Sequence, residues 1–160
     1  MTLLIHDAMA LLGKDAKEAY EIGTLSDIEF ADDTMLMGVN HIFLQEFTDA
    51  VEKVGREFGL ELHWGKVQLV NVQGDQSILK PDGTVLPKST SMIYLGALIH
   101  EQGLAVLELS RRIGMCASYF KSLSQLWKHI SISRARKIEI FNSLVSSKLL
   151  YGLSTMWLGL

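Results

Sequence analysis

Between residues 25 and 39, two short apolar runs close on an acidic pair. Leu25, Ile28 and Phe30 precede Ala31-Asp32-Asp33, and Met35, Leu36, Met37 and Val39 follow. Apolar runs of this length around a tight polar centre predict a β-hairpin with the carboxylates at its turn. In the middle of a strand, neighbouring side chains point to opposite faces and share a ligand poorly. At a turn both carboxylates can crowd the end of the sheet. Two uncompensated carboxylates in an apolar setting are costly unless protonated or bound to a cation. Their hard oxygens suit Mg²⁺, which keeps several waters and takes further ligands from phosphates. A solvated Asp-Asp turn without a ligand is the plain alternative.

The rest of the chain divides by pattern. Residues 2–22 read as one or two short helices. Asn40 is a good N-cap for a helix with apolar positions at Phe43, Phe47, Ala50, Val51, Val54 and Phe58, closed by Gly59. Strand-like material resumes at Leu60–His63 and Val67–Val72. Ser77–Leu79 and Thr84–Leu86 flank Pro81-Asp82-Gly83, where Pro presets φ and Gly permits φ > 0. Met92–Ile99 reads as a strand. Glu101-Gln102-Gly103 then turns the chain into a helix reaching about Trp127, and Ser133 caps a last helix running to about Tyr151. Strands and helices mix as far as residue 100, and helices alone follow. No repeat or low-complexity segment interrupts the series.

Composition narrows the function classes. With 160 residues, 48% hydrophobic and 21% charged, the chain has the make-up of one ordinary globular domain, not of a disordered tail or a fibre. Its 1 Cys forbids an internal disulfide and fits a reducing, intracellular compartment, nuclear or cytoplasmic, rather than secretion. No apolar run is long enough to cross a bilayer, and the opening Met1–Ile5 has no basic leader. The net charge of −3 hides a division. Residues 1–110 hold 7 Lys/Arg against 17 Asp/Glu, a balance of −10, whereas residues 111–160 hold 8 against 1, a balance of +7. A basic C-terminal part is a candidate nucleic-acid surface, or simply a solvated helix face.

Phe30-Ala31-Asp32-Asp33 between apolar strands resembles the Phe/Tyr-Ala-Asp-Asp box of the reverse transcriptases of non-LTR (LINE-like) retrotransposons. The likeness continues in order. Gly59-Leu60-Glu61-Leu62-His63-Trp64-Gly65-Lys66 is similar to that family's Gly-Leu-x-Ile-Asn-x-x-Lys segment, and Met92–Ile99 to its Tyr-Leu-Gly primer-grip hairpin. Glu108–Ile113, and Leu126-Trp127-Lys128 through Leu149-Leu150-Tyr151-Gly152, are similar to the helical region that follows. His63 departs from the family's usual Asn, and Val67 from Thr.

The resemblance implies an α+β chain: a partial polymerase palm with an antiparallel sheet over residues 1–100, then an α-helical thumb-like region over 101–160. It implies RNA-directed DNA synthesis on an RNA template and DNA primer, from deoxynucleoside triphosphates, with two Mg²⁺ ions in the complete site. Asp32 would be a direct metal ligand, Asp33 a supporting one, and Lys66 would face the leaving pyrophosphate. Tyr94, Leu95 and Gly96 would position the primer. Arg111, Arg112, Lys121, Lys128, Arg134, Arg136 and Lys137 would meet backbone phosphates. Tyr119 and Trp127 could stack on bases, though core packing is the ordinary use of aromatics at helical spacing. Cys116, without ligand-type neighbours in sequence, reads as a buried thiol. The family's site also needs an Asp from an upstream strand, which, with the fingers and the nucleotide-selecting segment, would precede Met1. Asp7, Asp15 and Glu18 lie in helical context and do not replace it. A non-catalytic nucleic-acid-binding remnant, or an inactive element fragment, is the alternative.

Overall fold

Leu12 and Gly13 interrupt the N-terminal helical stretch, so residues 2–22 form two helices, α1 (Thr2–Leu11) and α2 (Lys14–Glu21). Gly13 has no side chain to cap α2; its backbone N–H donates instead to the carboxylate of Glu46. A computed structural model describes residues 2–72 and 74–153. Their chain is of the mixed α+β class and divides into two units, Met1–Thr90 and Ser91–Leu160. The hairpin of residues 91–100 thus groups with the helices after it. Residues 154–160 of the expected helical region lie outside the described residues.

In the first unit, β1 (Leu25–Phe30) and β2 (Asp33–Gly38) form the antiparallel hairpin, with Leu25 opposite Gly38 and Phe30 opposite Asp33. Helix α3 (His41–Glu57) begins where Asn40 accepts the Ile42 N–H at 2.9 Å. It ends in a turn with Gly59 at φ 72°, where the Leu60 N–H returns to the Gly55 carbonyl. Phe47, Ala50, Val51 and Val54 fall on one face at helical spacing. They are buried against Leu4, Ile5, Ala8 and Leu12 of the α1 region, Ala16 and Ala19 of α2, and Leu25 of β1.

Residues 60–90 depart from expectation. Leu60–His63 is not a strand, and Val67–Val72 pairs only at Leu69, in a parallel bridge to Lys88. A strand persists only where a partner takes its N–H and C=O groups. Trp64–Lys66 instead bends the chain, the Lys66 N–H returning to the His63 carbonyl at 2.7 Å. Leu69, Ile78 and Leu86 make a small separate cluster. The Pro81-Asp82-Gly83 turn forms as expected, with Gly83 at φ 81° and the Thr84 N–H held by Asp82.

The second unit opens with a hairpin where the apolar pattern predicts one strand and the resemblance a hairpin: β3 (Ser91–Tyr94) and β4 (Ala97–His100), joined by Leu95 and Gly96 at φ 48° and 81°. Two consecutive positive φ values match the twist of a two-residue hairpin turn. Helix α4 (Ala105–Ser122) ends before Trp127, with the Ser122 hydroxyl donating to the Tyr119 carbonyl in its last turn; Leu123 alone separates it from α5 (Ser124–Lys128). Ser133 caps α6 (Arg134–Phe141), accepting the Arg136 N–H. A π-helical turn, Asn142–Ser146, leads into α7 (Ser147–Leu150).

Candidate functional site

Asp32 lies in the two-residue turn between β1 and β2, and Asp33 is the first residue of β2; both are exposed. Ala31 precedes them at φ 55°, a left-handed conformation that alanine rarely adopts. Register sorts the hairpin's side chains by face. Asp33 shares a face with Phe30, Ile28 and Met35, whereas Leu25, Asp27 and Glu29 occupy the other. Tyr20 donates its hydroxyl to Asp27 at 2.5 Å, and that hydrogen bond, reinforced by burial, holds the phenol's pKa up to about 12.

The hairpin end offers hard carboxylate oxygens of the kind Mg²⁺ takes. Among the described residues, however, no group of three or more His, Cys, Asp or Glu side chains converges there or elsewhere. The residues fit part of a two-metal donor set, not the whole of one. Lys66 is exposed at the bend after His63, and among the described residues no hydrogen bond or ion pair joins it to Asp32 or Asp33.

The second unit brings three segments together around Glu108. Its side chain is 2% exposed, yet it is ionised. Burial opposes the charge, but hydrogen bonds from Arg111, Arg112 and the Leu98 N–H overcome burial and bring the pKa down to about 2. Arg111 grips the carboxylate with both Nε (2.6 Å) and Nη2 (2.8 Å), and the same Nη2 donates to the Gly96 carbonyl at 2.7 Å. Arg112, 4% exposed, donates Nε to Glu108 and Nη1 to the Tyr151 carbonyl. The Tyr94-Leu95-Gly96 turn, the Glu108–Arg112 stretch and Tyr151 therefore meet through one ion-pair network. The sequence reading passed over Glu108; its signal was an acid followed at i+3 and i+4 by arginines.

This network engages both arginines that the resemblance would place against phosphates. Arg112 is buried, and both guanidiniums are held by protein oxygens that a phosphate would have to displace. Of the other basic residues, Lys121, Lys128 and Arg134 are exposed; Arg136 is exposed and pairs with Glu139 at 2.7 Å. Lys137 is half-buried and donates to the Trp127 carbonyl. Trp127 stacks on Phe120 (centroids 5.3 Å apart) and donates its indole N–H to the Phe120 carbonyl, a packed rather than a presented ring. Tyr119 lies beneath the Lys148 ammonium, 4.3 Å from the ring centroid. Cys116 is buried as expected, its thiol meeting the Val145 carbonyl in the π-helical turn.

Among the described residues no helix is long and apolar enough to cross a membrane. Comparison with family models, with curated proteins and with solved structures returned no match to this chain.

Proposed function

We propose that the chain is the palm-and-thumb portion of an RNA-directed DNA polymerase of the non-LTR retrotransposon type, acting on a primer–template. The observation that carries this reading is the placement of Asp32 and Asp33, both exposed, at the closing turn of an antiparallel hairpin. Their position is the one the sequence resemblance requires of metal-binding carboxylates. Further support comes from a second hairpin turned by Leu95 and Gly96 at the start of a helical, basic unit. When bound, Mg²⁺ would polarise phosphate oxygens during in-line transfer. This chain's part is to offer the two carboxylates, with Lys66 as a cation for the leaving phosphates and Lys121, Lys128, Arg134 and Arg136 for the nucleic-acid backbone.

The test is a salt titration of fluorescence anisotropy with a labelled RNA–DNA hybrid. With those four cations in contact, log Kd against log salt should change by about 3 to 4 per decade. Absence of hybrid binding at low salt would refute the reading. Primer extension by the isolated chain is expected to be undetectable, because two carboxylates are an incomplete two-metal set. Mg²⁺-dependent incorporation that Asp32→Ala abolishes would show that account of the site to be wrong.

A further inference from the structure

We infer that Glu108, Arg111 and Arg112 form a clamp that positions the Leu95–Gly96 turn, with Arg111 as its positioning residue. Leu95 sits at φ 48°, a conformation that L-residues other than Asn or Asp rarely hold unless their surroundings over-determine it. In an antiparallel pair, alternate residues turn their N–H groups out of the ladder. Tyr94 and Ala97 close the hairpin, so the Leu98 N–H faces outward, where Glu108 accepts it. Two residues earlier, in the turn itself, Arg111 takes the Gly96 carbonyl. Two cations around one carboxylate leave an excess positive charge, and the Gly96 and Tyr151 carbonyls supply the compensating negative ends of their dipoles. The planar fork of Arg111 spans Glu108 and Gly96 together; a lysine ammonium, a single compact charge, does not. The clamp rests on the proposed function in one respect only, the use of the turn as a primer contact.

The experiment uses the full chain, with Arg111→Lys, Leu95→Gly and the double variant. Arg111→Lys keeps the charge at a partly exposed position. It should speed amide exchange at Ala97 and Leu98 by roughly tenfold while α3 amides stay unchanged. Adding Leu95→Gly, which removes the disfavoured φ, should restore much of the lost protection. Affinity of Arg111→Lys and Arg111→Gln for the RNA–DNA hybrid should fall roughly three- to tenfold with the salt slope of wild type, since no phosphate contact is lost. A slope flatter by about one in Arg111→Gln would make this residue a phosphate ligand and overturn the proposal. Unchanged Leu98 exchange in Arg111→Lys, or no recovery in the double variant, would overturn it equally. If the wild-type chain binds no hybrid, the polymerase reading fails and the exchange data alone decide the clamp.

Discussion

Glu108 is the residue at which charge and burial are most sharply opposed. A buried carboxylate without partners would take up a proton, but this one is held ionised by two guanidiniums and a backbone N–H. Its pKa falls from an ordinary 4.5 to about 2 on folding, so its ionisation favours the folded state. That contribution is fully present above pH 4.5 and is lost as pH falls toward 2. Glu108→Gln leaves two arginines around a neutral amide, and breaking a buried pair from one side costs about 3–5 kcal/mol. The variant should therefore melt well below wild type at pH 7, and the gap should close on acidification between pH 4.5 and 2. Melting curves that coincide at pH 7, or a gap that does not narrow on acidification, would contradict this role. Sequence spacing alone held the clue to these pairs, but whether the arginines turn inward depends on an acceptor three or four residues away and on a hairpin turn 15 residues upstream of Arg111. Arginines on a basic helix look the same in sequence whether they face phosphates or a buried carboxylate.

At the scale of elements, legibility followed local self-sufficiency. Helix α3 was readable because its cap, its apolar period and its glycine stop all lie within its own sequence. The β1–β2 hairpin was readable for the same reason, since polar turn residues separate its apolar runs. The β3–β4 hairpin was not readable from its apolar pattern, because its turn begins with Leu95, an apolar residue that continues the strand pattern into a left-handed conformation. Residues 60–72 failed in the opposite sense: the apolar content of strands is there, but the only strand-type pairing among them is the bridge at Leu69. The π-helical turn at Asn142–Ser146 leaves no mark in the apolar period. Two substitutions on α3 separate packing from capping. Phe47 is fully buried and edge-on to Tyr20, with centroids 5.9 Å apart, so Phe47→Ala should cost about 3–5 kcal/mol in chemical denaturation. Asn40→Ala removes one cap hydrogen bond and should cost about 0.5–2 kcal/mol. Equal losses in the two variants would mean that α3 is not the packing centre of the first unit.

For the molecule as a whole, the structural division redraws the charge asymmetry. Residues 1–90 hold 7 Lys/Arg against 15 Asp/Glu, a balance of −8, and residues 91–160 hold 8 against 3, a balance of +5. Opposite charges of this size favour head-to-tail association at low salt, which added salt would screen beyond about 10 Å at 0.1 M. The apolar surface points to association of another kind. In the first unit Phe30, Val39 and Ile42 are 62%, 79% and 59% exposed. On α4, Val106, Ile113 and Phe120 recur every seventh residue with 56%, 54% and 46% exposure, a seam along one face of the helix. Each side chain of this size gains about 1.5–3 kcal/mol when removed from water, more than a screened surface ion pair returns. The apolar term should therefore dominate. The purified chain is expected to form oligomers that persist in 0.5 M sodium chloride and grow in sulfate, which strengthens apolar burial. Multi-angle light scattering across a salt series, with Ile113→Lys and Phe30→Lys as variants, checks this. Dissociation by salt alone would identify charge as the cause, and a monomer under every condition would show that these exposed faces do not drive association.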